Sequence, residues 1–195
     1  NIPSMTLLPN FKDVFAYGNK GNKEIIFALR YNLNEYNFLG GNYISFLRRN
    51  VSVANYYDSI AGRKLNTTDD LILTEGGSHY VSPHTAIFRQ FSDADSRKLE
   101  SIRAAYNLVG GQYVKASGCW VSKYKGTFDL GLRQMVDDWP VYRYADLLLM
   151  LAEAKSILGE DPASEFNLVR QRAYAANYQP AVHGYPNQPI DADIN

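Results

Sequence analysis

Six residues in one stretch have the chemistry to hold a polar ring: Tyr36, Asn37, Phe38, Tyr43, Tyr56 and Tyr57. A sugar ring presents apolar C–H faces and a rim of hydroxyls. Aromatic faces stack on the former, and amide, carboxylate or guanidinium side chains hydrogen-bond the latter. Asn32, Asn34, Gly40, Gly41 and Asn42 stand among them. These are turn and loop residues, and the stretch 32–61 shows neither a helical nor a strand period. Long irregular segments in compact domains are usually functional or disordered, and this density of aromatics argues against disorder. Plain packing under a loop is the competing reading for each ring. The chain as a whole is rich in aromatics, with 15 Tyr, 9 Phe and 2 Trp.

Catalytic readings fail on the residues. Gly40-Gly41, Gly76-Gly77 and Gly110-Gly111 are turn pairs, not a phosphate-cradling loop between strand and helix. There is no G-x-S-x-G elbow. Asp137-Asp138 imitates the two carboxylates of glycoside hydrolysis, but adjacent residues rarely converge on one bond. They read instead as acids favourable to a helix N-terminus. Cys119, the only cysteine, excludes an internal disulfide and a Cys-based zinc site, and reads as a small buried hydrophobe. His79, His84 and His183 lack metal-ligand spacing, so neither a metal nor a cofactor is expected. Lys+Arg and Asp+Glu cancel at 20 each, which disfavours nucleic acid as a partner.

The positioning elements lie on either side of the loops. Asn10 to Tyr17 reads as a short helix capped by Asn10. Asn19 to Asn22 reads as a turn, and Glu24 to Tyr31 as a mostly buried strand. Phe91 to Arg97 could start a short helix through Ala105, ended by Gly110-Gly111. Val114 to Tyr124 is a strand candidate interrupted at Ser117-Gly118, and Thr127 to Asp138 a connector.

A helix is expected from about Pro140 to Leu158, with proline in its first turn and Gly159 as its stop. It is apolar almost all the way round. Asp146, Glu153 and Ser156 fall within an arc of about 80°, and Ala145 and Ala152 share a seam that admits a second helix closely. Most of its surface must then be covered by other elements. Arg143 with Asp146, and Glu153, read as an ion-paired seam. A second helix follows, with Asp161 as cap and Pro162 at its first position. Phe166, Val169 and Ala173 form its apolar stripe, while Arg170 and Arg172 point elsewhere in framework roles. The tail from Pro180 to Pro189 reads as loop. One helical pair cannot enclose its own apolar surface, and helical repeats need about three units or more. A piece of a longer protein, or a pairing with a partner, is the expectation.

Five short segments resemble the SusD/RagB family in order and spacing. The family's "N-x-E-I-I-F-A" strand matches Asn22 to Ala28. Its "D-x-R" turn matches Asp95 and Arg97, and its "K-Y" strand end matches Lys123-Tyr124. Its "P-x-x-R-x-A-D-x-L-L-M-x-A-E-A" run matches Pro140 to Ala154, and its "L-N-x-V-R-x-R-A" helix matches Asn167 to Ala173. The family's lipidated cysteine, preceding helical repeats and later "E-R-x-x-E-L" and "E-G-x-R" section have no counterpart, so an internal or C-terminal fragment is expected. The resemblance implies a mainly α, TPR-type helical scaffold with long loop-rich segments and a few short strands. Its parts would be a short helix and strand (1–31), a loop-rich ligand-binding region (32–138) and a helical hairpin (139–178). It implies a non-catalytic outer-membrane lipoprotein at the cell surface, in polysaccharide utilization. Such a protein binds oligosaccharide through loop aromatics and passes it to a SusC-like TonB-dependent transporter. Peptide binding by the same scaffold, or a helical-repeat module for protein partners, are the alternatives.

Overall fold

The computed structural model describes residues 4–32, 57–58, 63–64, 90–121, 123–124, 127–129, 132–134 and 136–187. Its elements are α1 (Phe11–Val14), β1 (Ile25–Leu29), β2 (Tyr57–Asp58), β3 (Arg63–Lys64), α2 (Ser96–Ser101), β4 (Ile102–Val109), β5 (Gln112–Val121), β6 (Thr127–Asp129), β7 (Leu132–Gln134), β8 (Trp139–Arg143), α3 (Tyr144–Ile157), α4 (Ala163–Tyr174) and α5 (Pro180–His183). The strands form four antiparallel pairs, β1–β8, β2–β3, β4–β5 and β6–β7. A mainly helical scaffold with short strands is thus the observed class. No helix among the described residues is long and apolar enough to cross a membrane.

The α3–α4 hairpin holds the apolar core. Ala145, Leu148 and Val169 are buried together, with Leu7 and Tyr144 packed against them. Ala145 and Ala152 are both buried, so the small-residue seam does admit the second helix. Gly159, with φ of 75°, ends α3 as expected.

Several expectations need correction. The first four residues of the proposed Pro140 helix are strand: β8 pairs with β1, and Pro140 lies opposite Ala28. Proline is tolerated there because a two-stranded ribbon has free edges. The helix starts at Tyr144, where Asp146 accepts from the Arg143 backbone N–H at 2.9 Å and from its guanidinium at 3.1 Å. The next helix starts one residue late, with Pro162 at the cap position and Asp161 Oδ1 accepting from the Ala163 N–H. The helix expected over 91–105 stops at Ser101. Ile102 is extended, and β4 pairs along β5, with Gly110-Gly111 as the hairpin turn rather than a helix stop. Both glycines have positive φ (57° and 81°), as a two-residue type I′ connection requires. Ser117-Gly118 falls where the β4–β5 register shifts, between the Ala104↔Cys119 and Tyr106↔Lys115 pairs. The connector before Asp138 contains the small β6–β7 hairpin, and the tail contains the single turn α5. Asn10 sits at the cap of α1, but its amide donates to Asp13 instead of accepting from the helix.

Three burial expectations also reverse. β1 is not mostly buried: Ile26, Phe27 and Leu29 are about half exposed. The cover expected over α3 is absent among the described residues, where Leu147, Met150, Leu151, Ile157 and Leu158 are all exposed. Arg170 and Arg172, expected to point away, are both buried.

Candidate ligand-binding site

Three of the five sequence motifs meet at one buried carboxylate. Glu24 is 0% exposed. Its oxygens accept from Arg172 Nη1 at 3.1 and 3.0 Å and from the Leu8 N–H at 2.9 Å, and Arg143 Nη1 stands 3.7 Å away. The Glu24 carbonyl takes the Tyr144 N–H at 2.7 Å. One residue therefore ties the N-terminal segment, the β8–α3 junction and α4. Burying the Glu24 and Arg172 charges is tolerable because they pair and hydrogen-bond; unpaired, each would carry a large desolvation cost. Burial depresses the Arg172 pKa, and Glu24 opposes that shift.

Aromatic rings line this cluster. Phe11 and Phe15 meet edge to face at 5.2 Å, and Tyr124 stacks on Trp139 at 5.3 Å. Lys123 Nζ lies 4.1 Å from the Phe15 ring centre, and Arg172 sits 5.2 Å from that of Phe11. Burial, then Arg143, pull the Lys123 ammonium down to about 8, while burial pushes the Tyr124 hydroxyl up to about 12.

The D-x-R turn fastens α2 to the same helix pair. Asp95 is buried, accepts from the Arg97 N–H at 2.9 Å, and is gripped by the Arg97 guanidinium at 2.6 Å. Ser96 Oγ donates to the Ala173 carbonyl at 2.7 Å. Arg170 lies over Phe166 at 4.3 Å and donates to the His183 carbonyl. Asp137 and Asp138 do not enter a helix; they precede β8. Asp137 is buried, and Asp138 pairs with Arg30 at 2.8 Å and Lys20 at 3.4 Å. These charged groups are framework. They face one another, not an open cavity.

No cluster of three His, Cys, Asp or Glu suits a metal among the described residues. A cleft beside Phe15, Tyr17, Lys20 and Asp138 has a volume of about 10 Å³, room for one water and not for a sugar ring.

Of the residues with sugar-binding chemistry, Tyr36, Asn37, Phe38, Tyr43 and Tyr56 lie outside the described residues. Tyr57 begins β2, opposite Lys64. Cα atoms of β2 come within 8 Å of β4, so Tyr57 and Asp58 lie beside that strand. The β4–β5 hairpin takes the place of the last part of the helix expected through Ala105 and contains most of the strand candidate that begins at Val114. Gly110-Gly111 flanked by β-forming residues was the signal for it.

The SusD family model matches residues 131–192. NanU of B. fragilis is 35% identical over 94% of this chain and 39% of its own, with a TM-score of 0.77. A SusD superfamily protein from Bacteroides vulgatus is 35% identical over 94% of this chain and 40% of its own, with a TM-score of 0.76. Surface glycan-binding protein A from Bacteroides thetaiotaomicron, in complex with laminarihexaose, shares the fold at 18% identity and a TM-score of 0.60, over 98% of this chain and 43% of its own. The chain thus spans about two fifths of the length of the solved structures it matches. No curated protein matches it.

Proposed function

The chain belongs to the SusD/RagB family, and from that premise we propose that it serves in binding oligosaccharide at the bacterial cell surface, without turnover. The observation that carries this reading is the 35% identity to NanU across 94% of the chain. Two features of the residues support it. The motif-bearing charges Glu24, Asp95, Arg97, Arg143 and Arg172 are engaged in pairs that hold the scaffold. The aromatic and amide groups collect in the segment between β1 and β8, where Tyr36, Asn37, Phe38, Tyr43, Tyr56 and Tyr57 would stack on and hydrogen-bond a glycan. The bound sugar would pass to a SusC-like TonB-dependent transporter, and the protein would be held at the outer membrane as a lipoprotein.

Titration of the protein with a panel of hexasaccharides, followed by analysis of the sugars for cleavage, tests the proposal. Weak binding with intact sugars is the expected result, reduced on changing Tyr36, Tyr56 or Tyr57 to Ala. Hydrolysis, or binding confined to a parallel panel of peptides, overturns it. The exposed apolar residues of α3 favour a second reading, a helical module for protein partners. Pull-downs that return soluble partners and no TonB-dependent transporter would support that one.

A further inference from the structure

We propose that His183 is an acid-sensitive latch: the neutral imidazole holds residues 178–184 against α4, and protonation releases them. The proposal stands apart from the glycan-binding reading. α5 is a single turn. The Val182 and His183 N–H groups close it on the Gln179 carbonyl at 2.9 and 2.8 Å, and the Gly184 N–H on the Pro180 carbonyl at 3.0 Å. A turn this short has no helical stability of its own and depends on what caps and docks it. Its cap is His183 itself: the Gln179 N–H donates to the imidazole Nδ1 at 3.0 Å. A backbone N–H can only donate, so Nδ1 is the unprotonated nitrogen and the ring is neutral. An imidazolium has a donor at both nitrogens and no acceptor. Protonation therefore breaks this bond and sets one N–H against another.

The same residue makes the contact to the helix. Its ring stacks on Tyr174 of α4, with centres 3.9 Å apart and planes 12° from parallel, and lies 6.2 Å from the ring of Tyr178. Its backbone carbonyl accepts from Arg170 Nη1 at 3.0 Å. The charged group that α4 brings to His183 is thus a cation, and the other titratable neighbours are the phenols of Tyr174 and Tyr178. Among the described residues no carboxylate pairs with His183. A proton arriving on the ring loses an acceptor and meets a like charge. The next stretch of chain is fastened by groups that do not titrate in this range. Asn167 donates to the Tyr185 carbonyl at 3.3 Å and accepts its N–H at 2.7 Å, and Phe166 meets the Tyr185 ring edge to face. Acid should therefore open the His183 end and leave the Tyr185 end attached. Release uncovers the Tyr174 ring, which is buried in the docked state.

The competing outcome is that the Tyr174 face holds the imidazolium by cation–π attraction and keeps the segment docked. Hydrogen-exchange protection of residues 178–184, measured at about pH 7.5 and about pH 5 and corrected for intrinsic exchange, separates the two. The expected result is a fall in protection of about fivefold to tenfold on acidification, with the amides of α3 unaffected. His183→Asn puts an amide oxygen at the position of Nδ1, an acceptor that does not titrate. Its protection should be the same at both pH values. Unchanged protection in the unaltered protein overturns the latch, and so does an equal fall in folded His183→Asn. Should that variant fail to fold, nitrogen NMR of the imidazole in the unaltered protein decides. A proton on Nε2 alone at about pH 7.5 supports the latch, and a proton on Nδ1 overturns it.

Discussion

The two long helices reverse the burial their compositions suggest. α3 is almost wholly apolar, yet within these residues only Ala145, Leu148 and Ala152 are buried, while Leu147, Met150 and Leu151 are 45, 47 and 44% exposed. α4 carries two arginines, and both are buried with Val169, Ala173 and Tyr174. The difference lies in partners. Each buried arginine of α4 has an acceptor and an aromatic face: Glu24 and Phe11 for Arg172, the His183 carbonyl and Phe166 for Arg170. α3 offers α4 a narrow seam of small residues and keeps its large ones for other directions. Polarity decides whether burial is costly; a matched partner decides whether it occurs.

The sharpest break in that comparison is Glu24→Gln. It leaves the Arg172 charge without its counter-ion and Arg143 with Asp146 alone, in a site where Arg143 Nη1 and Arg172 Nε already lack a hydrogen-bond acceptor among the described residues. Losing one partner of a buried pair costs about 3–5 kcal/mol. The expected outcome is a large drop in the urea midpoint, partly restored by adding Arg172→Met. A cost near zero would mean that packing, not Glu24, keeps α4 buried.

Next in size is the seam. Ala152→Leu adds three heavy atoms where α3 and α4 are in contact, and overpacking of that kind costs about 1–3 kcal/mol. Thermal unfolding measures it. A neutral result would show that the two helices are not closely apposed.

What the sequence made legible follows the same division. Periodicity and stop signals located both helices, because Gly159 and Asp161 act locally. They misplaced the start of α3, because Pro140 is compatible with a first helical turn and with a two-stranded edge, and only β1 as a partner decides between them. The five motifs are readable as words, but the meeting of three of them at Glu24 is not. Residues 24, 143 and 172 are joined by tertiary contacts that no local spacing encodes. The proposed site is a chemistry of tyrosines and amides whose residues, Tyr57 apart, lie outside the described ones. The β4–β5 register is hidden in the sequence, because Gly110-Gly111 reads equally as a helix stop and as a hairpin turn.

The aromatic lining of the cluster gives a pH signature. Lys123 is held at about 8, against an unfolded value of 10.5. Between those two pH values the unfolded chain binds a proton that the folded chain has released, so stability rises with pH. Tyr124 acts oppositely: its folded value of about 12 exceeds 10.0, so stability falls from pH 10 towards 12. Stability should therefore climb from about pH 8 and peak near pH 10, with a Lys123 contribution of about 1–2 kcal/mol once partial solvation is allowed for. Melting temperatures from pH 7 to 11 for the protein and for Lys123→Met check this. The variant should gain stability at pH 7 and lose the rise. Parallel curves would show that the ammonium is well solvated beside Phe15.

The smallest expected effect is the most discriminating. Leu147, Met150, Leu151, Ala154 and Leu158 fall on one arc of α3 of about 100°, with the 4-3-4 spacing of Leu147, Leu151, Ala154 and Leu158 that suits an α-helical neighbour. As the structure stands, that arc meets water. Leu147→Ser with Leu151→Ser should then change stability by no more than about 0.5 kcal/mol for each site. Calorimetry on this chain, and on any longer polypeptide containing it, gives two numbers to compare. A cost of several kcal/mol in the longer form only would show that further polypeptide covers the arc. The contrast between the helices would then be a property of these residues alone, with α3 buried on two sides. An equally large cost in this chain would mean that the arc is covered already, and the wet apolar helix would not exist in solution.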